Sequence, residues 1–253
     1  MLILICLAAL LTSSTLQAAE PQPVACAGFY KYHLQGVCLD ESAIYWCFTD
    51  AIVKTDRTGK VIKNVPVKNH HGDLCHLNGK IYVAVNFGRF NDSEGFADSW
   101  VYVYDAKTLE ELSRHKVPQV FYGAGGIAVK EGHFFVVGGL PSNIQENYVY
   151  EYDNKFKFII RHTIKSGQTR LGIQTATFRD GQFWFGCYGK EVLKTDTNFK
   201  LLGKYKFDCG YGIAPVSKNK FYIALGPNVP GKGRTGKLLV AETDAEKGLV
   251  IQK

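Results

Sequence analysis

The sequence predicts an all-β protein, a five-bladed β-propeller of four-stranded antiparallel blades, and three observations lead there. An aromatic-rich apolar triplet recurs as Ile44-Tyr45-Trp46, Ile81-Tyr82-Val83, Phe134-Phe135-Val136, Phe183-Trp184-Phe185 and Phe221-Tyr222-Ile223, at spacings of 37, 53, 49 and 38 residues. Periods of this size mark repeat folds with about four strands per unit. A strand of small and apolar residues precedes each triplet, and an acid closes the strand that follows it. No segment of useful length carries helical periodicity, so the repeats stack as sheets around an axis.

Taken in order, the chain opens with Met1 to Leu11, nearly unbroken apolar sequence, then Thr12-Ser13-Ser14-Thr15 and Ala18-Ala19. An apolar core of this length ending in small residues predicts a cleaved export signal over 1–19, although its start carries no Lys or Arg. It is too short for a comfortable membrane span, and no later run is long enough. The expectation is therefore a secreted or periplasmic protein with one propeller domain over 20–253 and no membrane span once the signal is removed. A lipoprotein acylated at Cys26 fits less well, because Cys26 lies well beyond the apolar core. The segment Phe29-Tyr30-Lys31-Tyr32 is a candidate for an extra strand that closes the ring. A six-bladed ring with a partial N-terminal blade is the alternative architecture.

In each repeat the inner strand comes first: Gly36-Val37-Cys38-Leu39, Asp73-Leu74-Cys75-His76, Gly126-Ile127-Ala128-Val129, Thr175-Ala176-Thr177-Phe178 and Ile213-Ala214-Pro215-Val216. Small residues suit a strand crowded against an axis. Turn formers such as Asn78-Gly79, Glu131-Gly132 and Asp180-Gly181 lead into the second strand. The third ends in Asp56, Asp105, Asp153, Asp196 or Asp244, whose carboxylates are placed to cap local N–H groups. A fourth, outer strand such as 60–67 tolerates Pro66 at the edge.

The net charge of +7 is dispersed and forms no basic block. It predicts a mild preference for anionic partners and no nucleic-acid interface. Cys26, Cys38, Cys47, Cys75, Cys187 and Cys209 follow the signal; six cysteines allow fifteen pairings, and the order of the chain selects none. No CxxC or CxxH spacing occurs, which argues against a structural zinc site. His33, His70 or His71 and Asp73 are the N/O donors a metal would recruit, but they lack an HExxH-type spacing, so no metal ligands are assigned and no cofactor is expected. The glycine run 123–126 is not followed by a helix, which excludes a dinucleotide fingerprint.

Propeller geometry places the start of each inner strand, and the loop joining second to third strands, at one end of the ring. Three of those loops are long: 86–95, 138–143 and 226–234. Insertions on one face of a repeat fold build binding surfaces. The residues leading into the inner strands bring His33, Gln35, His70, His71, Asp73, Gln174 and Tyr211 to this mouth, with Arg89, Tyr122 and Arg170 around it. His71, Asp73 and His70 are the candidate catalytic residues, because imidazole titrates near neutrality and a carboxylate can fix its tautomer. The others are candidate ligand-binding residues. Alternation along a strand weighs against all three catalytic candidates sharing one space. The competing expectation is that one histidine caps a turn, one packs between blades, and Asp73 bonds backbone N–H groups.

With its blades aligned, the chain from His33 to about Leu225 resembles the glutamine cyclotransferase-like family of secreted five-bladed propellers. The likeness rests on Gln35-Gly36-Val37 (QGL), Lys54 to Val61 (VDLxTGKV), Ile173 to Trp184 (LNELEWxDGxIW) and Gly212-Ile213-Ala214 (NGIA). It implies the fold and export. The family's chemical residues are replaced: FGEG by His70-His71-Gly72-Asp73, NELE by Gln174-Thr175-Ala176-Thr177, and WGLT by Gly125-Gly126-Ile127-Ala128. Cyclising an N-terminal glutamine needs a carboxylate to move the proton, and Asp73 is the one left. The leading functional expectation is a propeller that binds, and by extension processes, a small polar or anionic ligand, a sugar or a peptide end, at the axial mouth. A non-enzymatic module gripping an exported protein or glycan is the alternative, and a glutaminyl-peptide cyclotransferase the third reading.

Overall fold

The computed structural model describes residues 20–252, which form a five-bladed β-propeller; the expected export signal lies outside the described residues. The first blade is β2 (Leu34–Leu39), β3 (Ala43–Phe48), β4 (Ala51–Asp56) and β5 (Val61–Pro66), after a short β1 (Val24–Ala25). The second is β6 (His71–Leu77), β7 (Lys80–Asn86), β8 (Ser99–Asp105) and β9 (Glu111–Lys116). The third comprises β10 (Ala124–Lys130), β11 (His133–Gly138), β12 (Asn147–Tyr152) and β13 (Phe158–Ile164). The fourth comprises β14 (Ile173–Arg179), β15 (Gln182–Cys187), β16 (Glu191–Thr195) and β17 (Leu201–Lys206). Each is an antiparallel meander running outward from the axis.

The fifth blade closes the ring. Its β18 (Ile213–Ser217) and β19 (Lys220–Leu225) lead through the small hairpin β20 (Asn228–Val229) and β21 (Gly233–Arg234) to β22 (Lys237–Asp244). The outer edge of β22 is shared: β1 pairs with Leu238 and Lys237, and β23 (Gly248–Ile251) with Ala241 to Asp244. The N-terminal segment thus completes the last blade and forms no sixth one. The closing strand is Val24–Ala25 and not the expected Phe29–Tyr32. Tyr30 makes only an isolated bridge to Arg234, because its ring turns inward to stack on Phe48 with centroids 3.9 Å apart.

A blade is covered by neighbours on both faces, so the second strands lose polar alternation: all six residues of Ala43–Phe48 are buried. Apolar clusters fill the five interfaces. Trp46, Phe48 and Tyr222 lie between blades five and one, Tyr45 and Tyr104 between one and two, and Phe134 and Phe156 between two and three. Phe183, Phe185 and Phe199 follow between three and four, and Trp184 and Phe221 between four and five. Each side chain of this size contributes about 2–3 kcal/mol on burial.

The acids closing the third strands behave as expected. Asp56, Asp105, Asp153, Asp196 and Asp244 each accept backbone N–H bonds of 2.7–3.0 Å from the following turn. In three blades that turn also holds Leu109, Phe156 or Phe199 in a left-handed conformation, with each side chain in the core cluster shared with the preceding blade. The outer strands are largely exposed and contribute little to the core.

Candidate functional site

The inner strands of blades one to four share a feature that shapes the axis. Opposite its second strand, each holds one extra residue, between Leu34 and Gly36, His71 and Leu74, Ala124 and Gly126, and Ile173 and Thr175. Such a bulge resets the direction of the side chains beyond it. His71 and Asp73, two residues apart, would share a face of a regular strand; across the bulge they part.

Asp73 turns to the axis. Its Oδ2 accepts the N–H of Ala176, on the fourth blade, at 2.9 Å, and the N–H groups of Val37, Leu74 and Ile127 also face the carboxyl. A carboxyl on the second blade that meets backbone of the first, third and fourth lies on the axis. The other blades leave it room, since its structural equivalents are Gly36, Gly126, Thr175 and Gly212; a Cβ on Gly36 would sit 2.3 Å from Oδ1. The side chain is 1% exposed and Oδ1 has no hydrogen-bond partner. Burial pushes the carboxyl well above its usual range, and the surrounding N–H groups oppose that shift.

His71 turns the other way, into the wedge between blades one and two. Its Nδ1 is 2.6 Å from the carbonyl oxygen of Lys68 and its Nε2 2.8 Å from Oη of Tyr104. Burial lowers its pKa to about 4. No hydrogen bond joins His71 to Asp73, so the proton-transfer pair expected of these two residues is not assembled; each has its own partners instead.

His70 remains at the mouth. Gln35 Nε2 donates to His70 Nε2 at 2.8 Å and to Thr49 Oγ1 at 3.3 Å, and Thr49 donates to the carbonyl of His33 at 3.2 Å. His33 lies edge-on to Tyr211, centroids 6.2 Å apart. Burial, then the fields of His70 and Arg234, push His33 below its ordinary pKa; burial does the same to His70. Both imidazoles are thus biased to the neutral form. Gln174 is buried, with Nε2 donating to Leu171 O at 3.0 Å and Oε1 near Gly125. Phe90, from the long loop of blade two, rests over Gly123 and Gly125.

The remaining expected ligand residues stay on the rim. Arg89 pairs with Asp92 at 3.3 Å and stacks on Phe96, so its charge is engaged within its own loop. Tyr122 packs beside Phe121 and Tyr148, and Arg170 is exposed beside Gly189. Two features escaped the sequence. Arg234, held on β21 by its bridge to Tyr30, acts on His33 through its charge. A cavity of about 130 Å³ lies at the opposite end of the inner strands, bordered by Cys38, Cys75, Ala128, Thr177 and Ala214. All six described cysteines are free and buried. Among the described residues, no group of three or more His, Cys, Asp or Glu is arranged to hold a metal ion.

This architecture has solved counterparts. The chain is similar in fold to the glutaminyl cyclase of Myxococcus xanthus. That likeness has a TM-score of 0.59 at 13% identity, over 89% of this chain and 100% of the other. A protein of unknown function from Bacteroides caccae gives 0.55 at 14% identity, over 92% and 95%. The WD40 repeats of RRP9 give 0.53 at 9%, over 93% and 84%. At such identities the likeness shows the propeller fold alone. No family model and no curated protein matches the chain. Among the described residues, no helix is long and apolar enough to cross a membrane.

Proposed function

We propose that this propeller binds a small polar ligand with an anionic end, such as a sugar acid or a peptide terminus, at the axial mouth. The observation that carries the reading is the linked set His33, Gln35, His70 and Thr49, with Arg234 and Tyr211 beside it. Two imidazoles biased to neutrality supply lone pairs and N–H groups, while Arg234 supplies a fixed positive charge. The long second-blade loop brings Phe90 over the third blade as an apolar wall. Asp73 belongs below this site. Its carboxyl is enclosed by backbone, which fits a structural role better than proton transfer to a ligand at the mouth.

Calorimetric titration with glucuronate and with a glutaminyl dipeptide, on the wild type and on His33→Ala and His70→Ala, tests the reading. Binding by the wild type that weakens at least about tenfold in both variants, a loss of about 1.4 kcal/mol, supports it, provided Arg89→Ala changes nothing. Absence of any heat at high ligand concentration, with capture of a protein or glycan through the long loops, overturns it. Release of ammonia from the glutaminyl peptide would replace simple binding with cyclisation.

A further inference from the structure

His71 is placed by the bulge in a cleft that the mouth does not explain. The wedge between blades one and two holds an open cleft of about 390 Å³, the size of a small-ligand site. Val65, Val67 and Leu109 make its apolar side, and Tyr102 and Tyr104 stand along it. Lys68, Arg114 and Glu111 sit at its rim, one net positive charge.

The two tyrosines come from alternate positions of β8 and lie side by side, centroids 6.4 Å apart. Their partners give them opposite polarity. A carbonyl oxygen only accepts, so the contact with Lys68 O requires His71 Nδ1 to carry the hydrogen. Nε2 of the neutral ring is then an acceptor, and Tyr104 O–H donates to it. Tyr104 therefore has only lone pairs left to offer. Tyr102 Oη instead accepts from Arg114 Nη1 at 3.2 Å, which leaves its own hydrogen free to donate. One end of the cleft asks for a donor. At the other, Arg114 is paired with Glu111 through Nε and Nη2 at 2.8 Å, and its remaining N–H groups, the Tyr102 hydroxyl and Lys68 at the rim leave that end in favour of an anion.

We infer that the wedge between blades one and two is a second ligand site, for a small flat hydroxy-carboxylate that donates its hydroxyl to Tyr104 and receives Tyr102 and Arg114 at its carboxylate. The body of such a molecule packs on Val65, Val67 and Leu109. His71 is a positioning residue, fixing the direction of the Tyr104 hydroxyl without touching the ligand.

Para-hydroxybenzoate is the probe, with benzoate lacking the donor and para-hydroxybenzamide lacking the charge. Ligand-observed NMR on the full chain should rank the hydroxybenzoate at least about tenfold above both. Tyr104→Phe should abolish the preference over benzoate and keep the preference over the amide; Tyr102→Phe should do the reverse. The exposed Arg114→Ala should weaken the hydroxybenzoate without disturbing the fold, and His70→Ala, at the mouth, should change nothing. No binding by the wild type at tens of millimolar overturns the inference. So does survival of both preferences in both tyrosine variants, or loss of binding in His70→Ala, which would assign the probe to the axial mouth.

Discussion

Oδ2 of Asp73, on the second blade, accepts the N–H of Ala176, on the fourth, at 2.9 Å across the propeller axis. The contact joins residues 103 apart in sequence and ties inner strands that are not neighbours in the ring. An antiparallel sheet leaves one edge of its inner strand unpaired, and five such edges converge on the axis. On four of them the N–H groups of Val37, Leu74, Ile127 and Ala176 face the carboxyl of Asp73, which accepts from Ala176.

Replacing Asp73 tests this account. Asp73→Ala removes the acceptor and leaves inward N–H groups without a partner, so a loss of about 2–3 kcal/mol is expected in urea unfolding. Asp73→Asn keeps one oxygen and costs less. Burial raises the folded-state carboxyl above the unfolded value of 3.8, so the folded chain holds its proton longer. Wild-type stability therefore falls, relative to Asp73→Asn, as pH rises from 3.8 towards the folded pKa. A constant difference between the two proteins across pH would refute the burial of an ionisable group there.

The space for that carboxyl is made by Gly36. A methyl group there would stand 2.3 Å from Asp73 Oδ1 and 2.4 Å from its Cα. Gly36→Ala is expected to cost about 3 kcal/mol. In a double-mutant cycle with Asp73→Ala the two losses should combine to less than their sum, since both perturb the same contact.

His71 gives a second pH signature, opposite in sense. The unfolded chain takes up a proton near pH 6.5 that the folded chain refuses until about pH 4. The unfolded state binds more protons in that window, so stability falls as pH drops through it, by about 3 kcal/mol in all. His71→Gln should flatten the slope between those limits when unfolding midpoints are measured across pH.

Ring closure depends on the N-terminal segment. Tyr30 stacks on Phe48 and donates its hydroxyl to Ala27 O at 2.8 Å, holding β1 beside β22. Tyr30→Ala is expected to lose about 3–4 kcal/mol in chemical denaturation. Hydrogen exchange should rise first in β22 and β23, the strands it helps to close.

The blade pattern was legible because each blade repeats local rules. Ala43–Phe48 reads as a buried second strand from its apolar run, and Asp196 as a turn cap from the residues that follow it. The closing strand was not legible in the same way. Phe29-Tyr30-Lys31-Tyr32 has the stronger strand character, yet Val24–Ala25 pairs with β22, since the Tyr30 ring has a better place against Phe48. The mouth was partly legible: Gln35 lies against His70 and His33 against Tyr211, whereas Arg89 is engaged by Asp92 and Phe96 in its own loop. Tyr102 and Tyr104 went unread as site residues. Their alternation says only that they share a face, and their opposite polarity comes from His71 and Arg114 on other strands.

Sequence alone determined the five repeats, the buried second strands and the acid-capped turns, since these follow from side-chain pattern and short-range hydrogen bonding. Tertiary structure decided where the chemistry lies. His71 and Asp73 are two residues apart, and regular alternation would have kept them together. A single extra residue in the inner strand separates them, sending one imidazole to the cleft between blades and one carboxyl to the axis. The acceptor needed at the axis exists only once five distant strand edges have closed into a ring, and spacing along the chain cannot express that demand.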